Sequence, residues 1–252
     1  MKIAKGSQQI RSIEEWFDCA PPARGKLHWV DGRSAKELAK AWFPKKGEPE
    51  VPAELQALLA SSLQFSNAVF EEAEPEARIR FDAIRGEPRN CDLLVIGAGG
   101  EKRFVMSIEA KADEPFGESI SRELAECAGR PSRLPERIGE LTKALLGCDI
   151  STCGHLRYQL LHGVAAAISA AGNANASVAI FLVHEFVTEE TKDKKHAQNA
   201  ADLDEFVQRL SGGNVSTLPP GQLLGPFVIP GNEHCPASVQ LFMGKAVRNT
   251  RT

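Results

Sequence analysis

The strongest constraint on the fold is a pair of apolar segments, 91–96 and 103–111, separated by the short stretch GAGGEK. Each segment has the length and the content of aliphatic and aromatic residues that are typical of a β-strand. The glycines between them suit a tight turn. The sequence therefore predicts an antiparallel hairpin, and its second strand ends in Glu109-Ala110-Lys111. A carboxylate and an ammonium thus close a strand that otherwise has a buried character.

The stretch LLVIGAGG, at 93–100, also matches the start of a dinucleotide-binding motif. In that motif a third glycine stands where Lys102 lies here, and a helix begins there so that its amides face the pyrophosphate. The residues that follow, KRFVMSIEAK, have the pattern of a strand. We therefore interpret these glycines as a hairpin turn and exclude a dinucleotide site.

The remaining elements predict one α/β domain that spans 1–252. Apolar residues recur with helical spacing in 34–43 and again in 52–74, where Pro75 is expected to end the helix. From residue 52 the predicted order is helix, three strands, three helices, strand and helix, which is typical of a single core with a mixed sheet. The other predicted strands are 78–84, 177–186 and an edge strand at 238–243, and the other helices are 118–128, 135–147, 156–171 and 200–210.

Three charged side chains are expected to meet at one end of this hairpin. Glu109 and Lys111 share one face of their strand because alternate residues point the same way. If the turn centres near 99–101, Asp92 lies opposite a residue between Ser107 and Glu109, and cross-strand Cβ atoms are about 5 Å apart. Two such carboxylates repel unless a cation joins them. Magnesium prefers oxygen ligands, so the pattern predicts a divalent metal site with a lysine beside it.

Asp92, followed 17 residues later by Glu109-Ala110-Lys111 on the neighbouring strand, resembles the PD-(D/E)XK nuclease superfamily. The resemblance implies a restriction-endonuclease-like fold with an αβββαβ core at about 52–186, in which helices flank a mixed central sheet. It also implies that Asp92 and Glu109 bind Mg²⁺ or Mn²⁺ and that Lys111 is the catalytic lysine. The proline that the family carries before the aspartate is absent here, since Cys91 takes its place.

The same resemblance suggests two further contributors. The first helix of such folds often supplies a glutamate, which would be Glu72, or else Glu76, as an additional metal ligand. Some members place a helical glutamine near the site, and Gln159 is the candidate in this chain. Gln159 shares a helical stripe with Gly163 and two alanines, and small residues there would let the helix approach closely.

Composition limits which partners are expected. The net charge of −3 gives no general attraction to nucleic acid, so binding would need a local basic patch. The arginines that cluster before Asp92 are the candidate phosphate contacts, namely Arg78, Arg80, Arg85 and Arg89. Six cysteines lack the spacing of a zinc site or a disulfide framework, and no apolar segment is long enough to span a membrane. We therefore expect a reduced, cytoplasmic protein.

The resulting hypothesis is a Mg²⁺- or Mn²⁺-dependent nuclease that hydrolyses phosphodiester bonds in DNA and needs no membrane. Its assembly is left open between a monomer and a homodimer. The alternative is a non-catalytic binding or scaffold module that retains the nuclease-like fold, which the acidic net charge favours. Hydrolysis of a smaller phosphate ester is a third option.

Overall fold

The computed structural model describes residues 1–45, 47–84 and 87–251. The strands in chain order are β1 (Lys2–Lys5), β2 (Gln8–Gln9), β3 (Val69–Ile79), β4 (Arg89–Gly99), β5 (Lys102–Lys111), β6 (Val178–Val187), β7 (Leu223–Phe227) and β8 (Gln240–Asn249). The helices are α1 (Ile13–Cys19), α2 (Ser34–Trp42), α3 (Ala53–Ala60), α4 (Ile120–Cys127), α5 (Leu134–Leu141), α6 (Tyr158–Asn173) and α7 (Asp193–Leu210). A π-helical turn at Thr142–Leu146 extends α5, and short 3-10 turns lie at Gly25–Leu27, Leu63–Phe65 and Ile150–Thr152.

All eight strands form one mixed sheet in the order β2-β1-β3-β4-β5-β6-β8-β7. Strand β4 is antiparallel to both of its neighbours, β3 and β5, whereas β5, β6 and β8 run parallel to one another and β3 runs parallel to β1. Parallel neighbours need long crossover connections, and here the segment that contains α4, α5 and α6 joins β5 to β6. The predicted α/β class, with a mixed sheet flanked by helices, is confirmed.

Helices cover both faces of the sheet. One apolar core joins α6 and α7 to the sheet through residues such as Val164, Phe181 and Phe206. The other core joins α2 and α3 to the opposite face through residues such as Trp42 and Ile108. Strand β6 is buried along its whole length because it lies in the middle of this three-layer arrangement.

The predicted hairpin of β4 and β5 is confirmed. Leu93 pairs with Ile108 and Gly99 with Lys102, while Gly100 has the positive φ of 60° that such a turn requires. In contrast to a strand with one open face, β5 is buried on both faces from Phe104 to Lys111. Its charged end therefore lies inside the molecule and not on a solvated face.

The predicted helix at 52–74 is wrong beyond residue 60. Helix α3 ends at Ala60, and β3 begins at Val69. The segment EEAEPEARI alternates exposed or half-buried residues with buried ones, which is the period of a strand and not of a helix. Pro75 does not end an element; it lies inside β3, two residues beyond the last pairing of β1, which is with Ala73. Its missing N–H therefore costs no ladder hydrogen bond on that side.

Two predicted strands also need correction. The strand predicted at 78–84 ends at Ile79, after which residues 82–84 form a bend. The strand predicted at 238–243 is real but is not an edge, because β8 lies between β6 and β7. Strands β1, β2 and β7 and helix α1 were not predicted, since each is short and has little apolar periodicity. No helix in the described part of the chain is long and apolar enough to cross a membrane.

Candidate functional site

The hairpin brings Asp92, Glu109 and Lys111 together at the end of β5. Because Leu93 pairs with Ile108, the next position on each strand places Asp92 beside Glu109. Oδ2 of Asp92 accepts a hydrogen bond of 2.7 Å from the backbone N–H of Ala110. The Nζ atom of Lys111 donates to Oε1 of Glu109 at 2.8 Å. These contacts place the two carboxylates and the ammonium in one continuous group.

Helix α6 supplies a fourth member of this group. The Nε2 atom of Gln159 donates to Oε1 of Glu109 at 2.6 Å. Gly163 lies one turn further along the helix, and a Cβ atom there would stand 2.7 Å from the ring of Phe181 on β6. The helix can approach the sheet closely only because this position has no side chain. That close approach places the amide of Gln159 within reach of Glu109.

Arg89 completes the surroundings of Glu109. Its Nη2 atom donates to Oε2 of Glu109, and both side chains are almost fully buried, at 3% and 4% exposure. Its Nη1 atom donates to Nδ1 of His162 on α6 at 2.7 Å. Sequence reasoning placed Arg89 among arginines that contact phosphate, but its burial rules out a surface role. The signal that could have identified it is its place as the first residue of a buried strand, three residues before Asp92.

Most of these residues line a cleft of about 380 Å³, whereas Arg89 and His162 do not. Its floor contains Asp92, Glu109, Lys111 and Gln159. The opposite wall comes from the N-terminal part of the chain, through the 20–33 segment and the first turn of α2. The N-terminal contributors are Pro22, Ala23, His28, Arg33, Ser34 and Ala35, none of which the sequence had indicated.

The two glutamates proposed as additional ligands occupy different places. Glu72 is exposed on β3, next to β1, and does not line the cleft. It was placed on a helix that the structure replaces with a strand, so its predicted position is wrong. Glu76 lies four residues further along β3 and does line the cleft. Its backbone has a φ of 48°, unusual for a residue other than glycine, and Nζ of Lys5 donates to its carbonyl oxygen at 2.7 Å.

The electrostatics of the buried group differ from residue to residue. Burial raises the pKa of Asp92 well above its usual range, and the nearby charge of Glu109 adds to this effect. Burial also opposes ionisation of Glu109, but Lys111 and Arg89 outweigh it and lower the pKa of that carboxyl. Burial would lower the pKa of Lys111, yet the charges of Glu109 and Asp92 raise it. The cations in the site are therefore directed at Glu109 and leave Asp92 poorly compensated.

Glu76 is the third carboxyl of the cleft. Its pKa is raised to about 7 because burial outweighs the opposing charge of Lys5, and the charge of Glu109 adds a smaller increase. The Nδ2 atom of Asn90 lies 3.4 Å from Oε2 of Glu76, which is a long contact for a hydrogen bond. A strained backbone and a perturbed carboxyl in a cleft are both typical of functional sites.

The donor atoms of this cleft are oxygens, which is the type of ligand that a hard divalent cation prefers. Carboxylate oxygens of Asp92 and Glu109 are the ligands that Mg²⁺ prefers, and the raised pKa of Asp92 reflects a charge that a cation would stabilise. Among residues 1–45, 47–84 and 87–251, however, no three His, Cys, Asp or Glu side chains converge in a ready metal site. Glu109 also has both oxygens engaged already. The chemistry of the donors therefore fits, while binding would require Glu109 to exchange at least one partner.

Basic side chains lie around the cleft, but they form ion pairs with carboxylates. Arg33 lies 2.6 Å from Asp113, which Lys195 also approaches at 3.8 Å. The other cations near the cleft are also matched, since Lys5 pairs with Glu74 and Arg78 with Glu87. Arg80 donates to a backbone carbonyl, and Arg85 lies outside the described residues. The predicted cluster of arginines therefore does not form one uniformly basic rim.

A larger cavity, of about 630 Å³, lies away from this site. Its walls are mostly apolar and come from the end of α7, the turn after α5 and the segment around β7. Arg209 is the one charged residue among the described residues that line it. Of these two cavities, the smaller one therefore holds the carboxylates and the lysine that could act in catalysis.

Comparison with known proteins assigns the chain to a family but not to an activity. The model of one family, described as "Domain of unknown function (DUF6946)", matches residues 9–250. The match covers nearly the whole chain, so the protein belongs to the DUF6946 family. No curated protein and no solved structure gives a significant match.

Proposed function

We propose that this member of the DUF6946 family is a metal-dependent nuclease that hydrolyses phosphodiester bonds, with DNA as its substrate. The observation that supports this most strongly is the meeting of Asp92, Glu109 and Lys111 on two paired strands at the floor of a cleft. Gln159 on α6 joins the same group. Phosphodiester hydrolysis needs an oriented water and groups that stabilise negative charge, and Lys111 together with a metal on the two carboxylates would meet both needs.

The proposed metal is Mg²⁺ or Mn²⁺, which Asp92 and Glu109 would hold. Such an ion supplies Lewis acidity and lowers the pKa of a bound water. Asp92 suits this role because burial outweighs the stabilisation that its charge receives from Lys111 and from the amide of Ala110. Glu109 suits it because it lies beside Asp92 at the floor of the same cleft.

Lys111 and Gln159 are proposed to act from either side of Glu109. Lys111 lines the cleft, where its ammonium can orient an attacking water and stabilise charge that develops on the phosphate. Gln159 fixes the carboxylate of Glu109 through Oε1, so its role is to position that group. The ring of Phe116, whose centroid is 5.3 Å from Nζ, limits the directions that Lys111 can take.

Two basic side chains at the cleft support DNA as the proposed substrate. Arg33 is half exposed at the edge of the cleft and His28 lines the same wall, so both can face a phosphate. Because Arg33 is paired with Asp113, a phosphate would compete with that carboxylate. We therefore expect weak, strongly salt-dependent DNA binding.

The direct test is cleavage of supercoiled plasmid and of labelled single-stranded DNA by the purified protein. Products should form with Mg²⁺ or Mn²⁺ and not with EDTA, and Asp92→Asn should abolish them while circular dichroism stays unchanged. Absence of cleavage with every divalent cation would contradict the proposal. Cleavage of a small phosphodiester such as bis(p-nitrophenyl) phosphate, without cleavage of DNA, would instead assign a smaller substrate.

One observation favours a second candidate, a non-catalytic module that binds through the same fold. Both oxygens of Glu109 are engaged by Arg89, Lys111 and Gln159, which is the pattern of a self-satisfied buried network. Such a protein would bind a partner without turnover. Retention of intact DNA in a gel-shift assay with Mg²⁺ present would favour this candidate, whereas disappearance of the substrate would exclude it.

A further inference from the structure

Arg89 is the least expected member of the buried group. It occupies the first position of β4 and is 3% exposed, although arginine is rarely buried without a specific partner. Its guanidinium bridges two acceptors, Oε2 of Glu109 on β5 and Nδ1 of His162 on α6. No acceptor for its Nε atom lies among the described residues. We refer to Arg89 with these two acceptors as the Arg89 bridge.

The surroundings of His162 favour a neutral ring that accepts a hydrogen bond from Arg89. The ring of Phe81 stacks on it with a centroid distance of 6.2 Å, and Tyr158 meets it edge-on at 4.6 Å. Burial, together with the charge of Arg89, lowers the pKa of His162 well below its usual value, so the ring is neutral and Nδ1 can accept. The guanidinium therefore keeps one firm acceptor whatever happens at Glu109.

Gly163 on α6 leaves space for the guanidinium of Arg89. A Cβ atom at position 163 would stand 3.3 Å from Nη2 of Arg89 in addition to its clash with Phe181. The glycine thus leaves room for the arginine at the surface of the helix. The Arg89 bridge depends on three elements, β4, β5 and α6, and each supplies one part of it.

Arg89 contacts the oxygen of Glu109 that has the fewer partners. Oε1 of Glu109 already accepts from Lys111 and Gln159, so Oε2 is the oxygen with one partner. A cation at that oxygen would lie close to the positive guanidinium, and like charges at such distances repel strongly in a buried site. Arg89 and a divalent cation are therefore alternative partners of Glu109.

We propose that Arg89 is a positioning residue that sets the metal affinity of the site, by holding Glu109 until a divalent cation takes its place there, while His162 keeps the guanidinium. The inference rests on the proposed function only in taking Asp92 and Glu109 as the metal ligands. It assigns to Arg89 a contact that weakens metal binding. A merely structural arginine would have the opposite signature, because its loss would loosen the site and weaken the metal further.

The test is the affinity of the purified protein for Mn²⁺, measured by isothermal titration calorimetry and by electron paramagnetic resonance of the free ion. Arg89→Met should bind Mn²⁺ roughly tenfold or more tightly than the natural protein, since one opposing charge is gone. Arg89→Lys retains the charge and should restore an affinity near the natural one. The matched control is Arg103→Met on β5, which removes an exposed arginine far from the cleft and should leave the affinity unchanged.

A second variant keeps the inference testable if Arg89→Met does not fold. His162→Phe preserves the stacking on Phe81 but removes the one acceptor that Arg89 would keep after leaving Glu109, so a buried guanidinium would then be left unpaired. Mn²⁺ binding should then weaken by about tenfold. Unchanged or weaker Mn²⁺ binding by folded Arg89→Met, or unchanged or tighter binding by His162→Phe, would overturn the inference. Because the readout is metal affinity, a tighter Arg89→Met variant supports it even if no DNA is cleaved, and that result would count against the nuclease proposal alone.

Discussion

The Nζ atom of Lys111 lies 2.8 Å from Oε1 of Glu109, two residues earlier on the same strand, and both side chains are about 95% buried. An exposed pair at this spacing would contribute about 0–1 kcal/mol. Removing one partner of a buried pair costs about 3–5 kcal/mol, because the other charge is left uncompensated. Arg89 also contacts Glu109, so the carboxylate keeps a cation when Lys111 is replaced. Lys111 can therefore be tested in a folded protein.

Gly163 is predicted to be essential for the packing of α6 on the sheet. Gly163→Ala would place Cβ 2.7 Å from Phe181, and we expect a loss of about 1–3 kcal/mol in the free energy of unfolding. Gly172→Ala is the matched control on the same helix, because its Cβ would meet its nearest neighbour, Pro236, at an ordinary 3.8 Å. Alanine there should be neutral or stabilise by up to about 1 kcal/mol. Urea denaturation of both variants measures the difference, and equal stabilities would contradict the packing described here.

Glu76 is predicted to make stability depend on pH. Its pKa of about 7 lies above that of an unfolded glutamate, so the folded chain holds an extra proton between about pH 5 and pH 7. The resulting stabilisation is complete below this window and is lost as the pH rises through 7. Glu76→Gln should remove this slope, which we expect to amount to roughly 1–2 kcal/mol because part of the side chain faces solvent.

The measurement for Glu76 is urea denaturation in EDTA at several pH values from 4.5 to 8. Glu72→Gln is the control, since Glu72 lies on the same strand but is exposed and outside the cleft. That variant should keep the slope of the natural protein. A Glu76→Gln protein whose stability still falls by the same amount over this window would show that another group is responsible.

Gln159 is predicted to matter for turnover more than for stability. Gln159→Leu removes the hydrogen bond to Glu109, whose Oε1 keeps Lys111, so the free energy of unfolding should change by only about 1 kcal/mol. The cleavage rate should fall about tenfold because Glu109 is less firmly held. Asn173→Leu, an amide change at the exposed end of α6, is the control and should cleave normally. Equal rates for the two variants would remove Gln159 from the site.

The sequence was informative wherever one local pattern decided the structure. The hairpin followed from two apolar segments around a glycine turn, and the pairing of Asp92 with Glu109 followed from the register that such a turn imposes. Gln159 was a candidate through the family resemblance, and the nearby Gly163 on the same helical stripe supported close packing; the structure has its amide 2.6 Å from Glu109. The hairpin and its register depend on residues that are near one another in the chain.

The sequence was misleading where tertiary contacts determined the secondary structure or the position of a side chain. Val69 and Phe70 fit a continuation of α3 by spacing, but pairing with β4 makes them part of a strand, which moved Glu72 away from the site and Glu76 into it. The burial of Arg89 depends on a histidine 73 residues away, and the cleft wall comes from the 20–33 segment before α2. No local pattern encodes such distant partners. The ends of elements and the full lining of the site therefore required the structure.

The most direct measurement for the central claim is the single-turnover rate of DNA cleavage with Mg²⁺ for two lysine variants of β5. Lys111→Met should lower the rate at least about 100-fold while the protein stays folded. Lys102→Met, at the exposed start of the same strand, where Nζ contacts only Gln240 among the described residues, should cleave within about twofold of the natural protein. Two results are therefore expected: the natural protein cleaves DNA with Mg²⁺, and the two lysine variants differ in rate as stated. Cleavage by folded Lys111→Met at the natural rate, or no Mg²⁺-dependent cleavage at all, would contradict it.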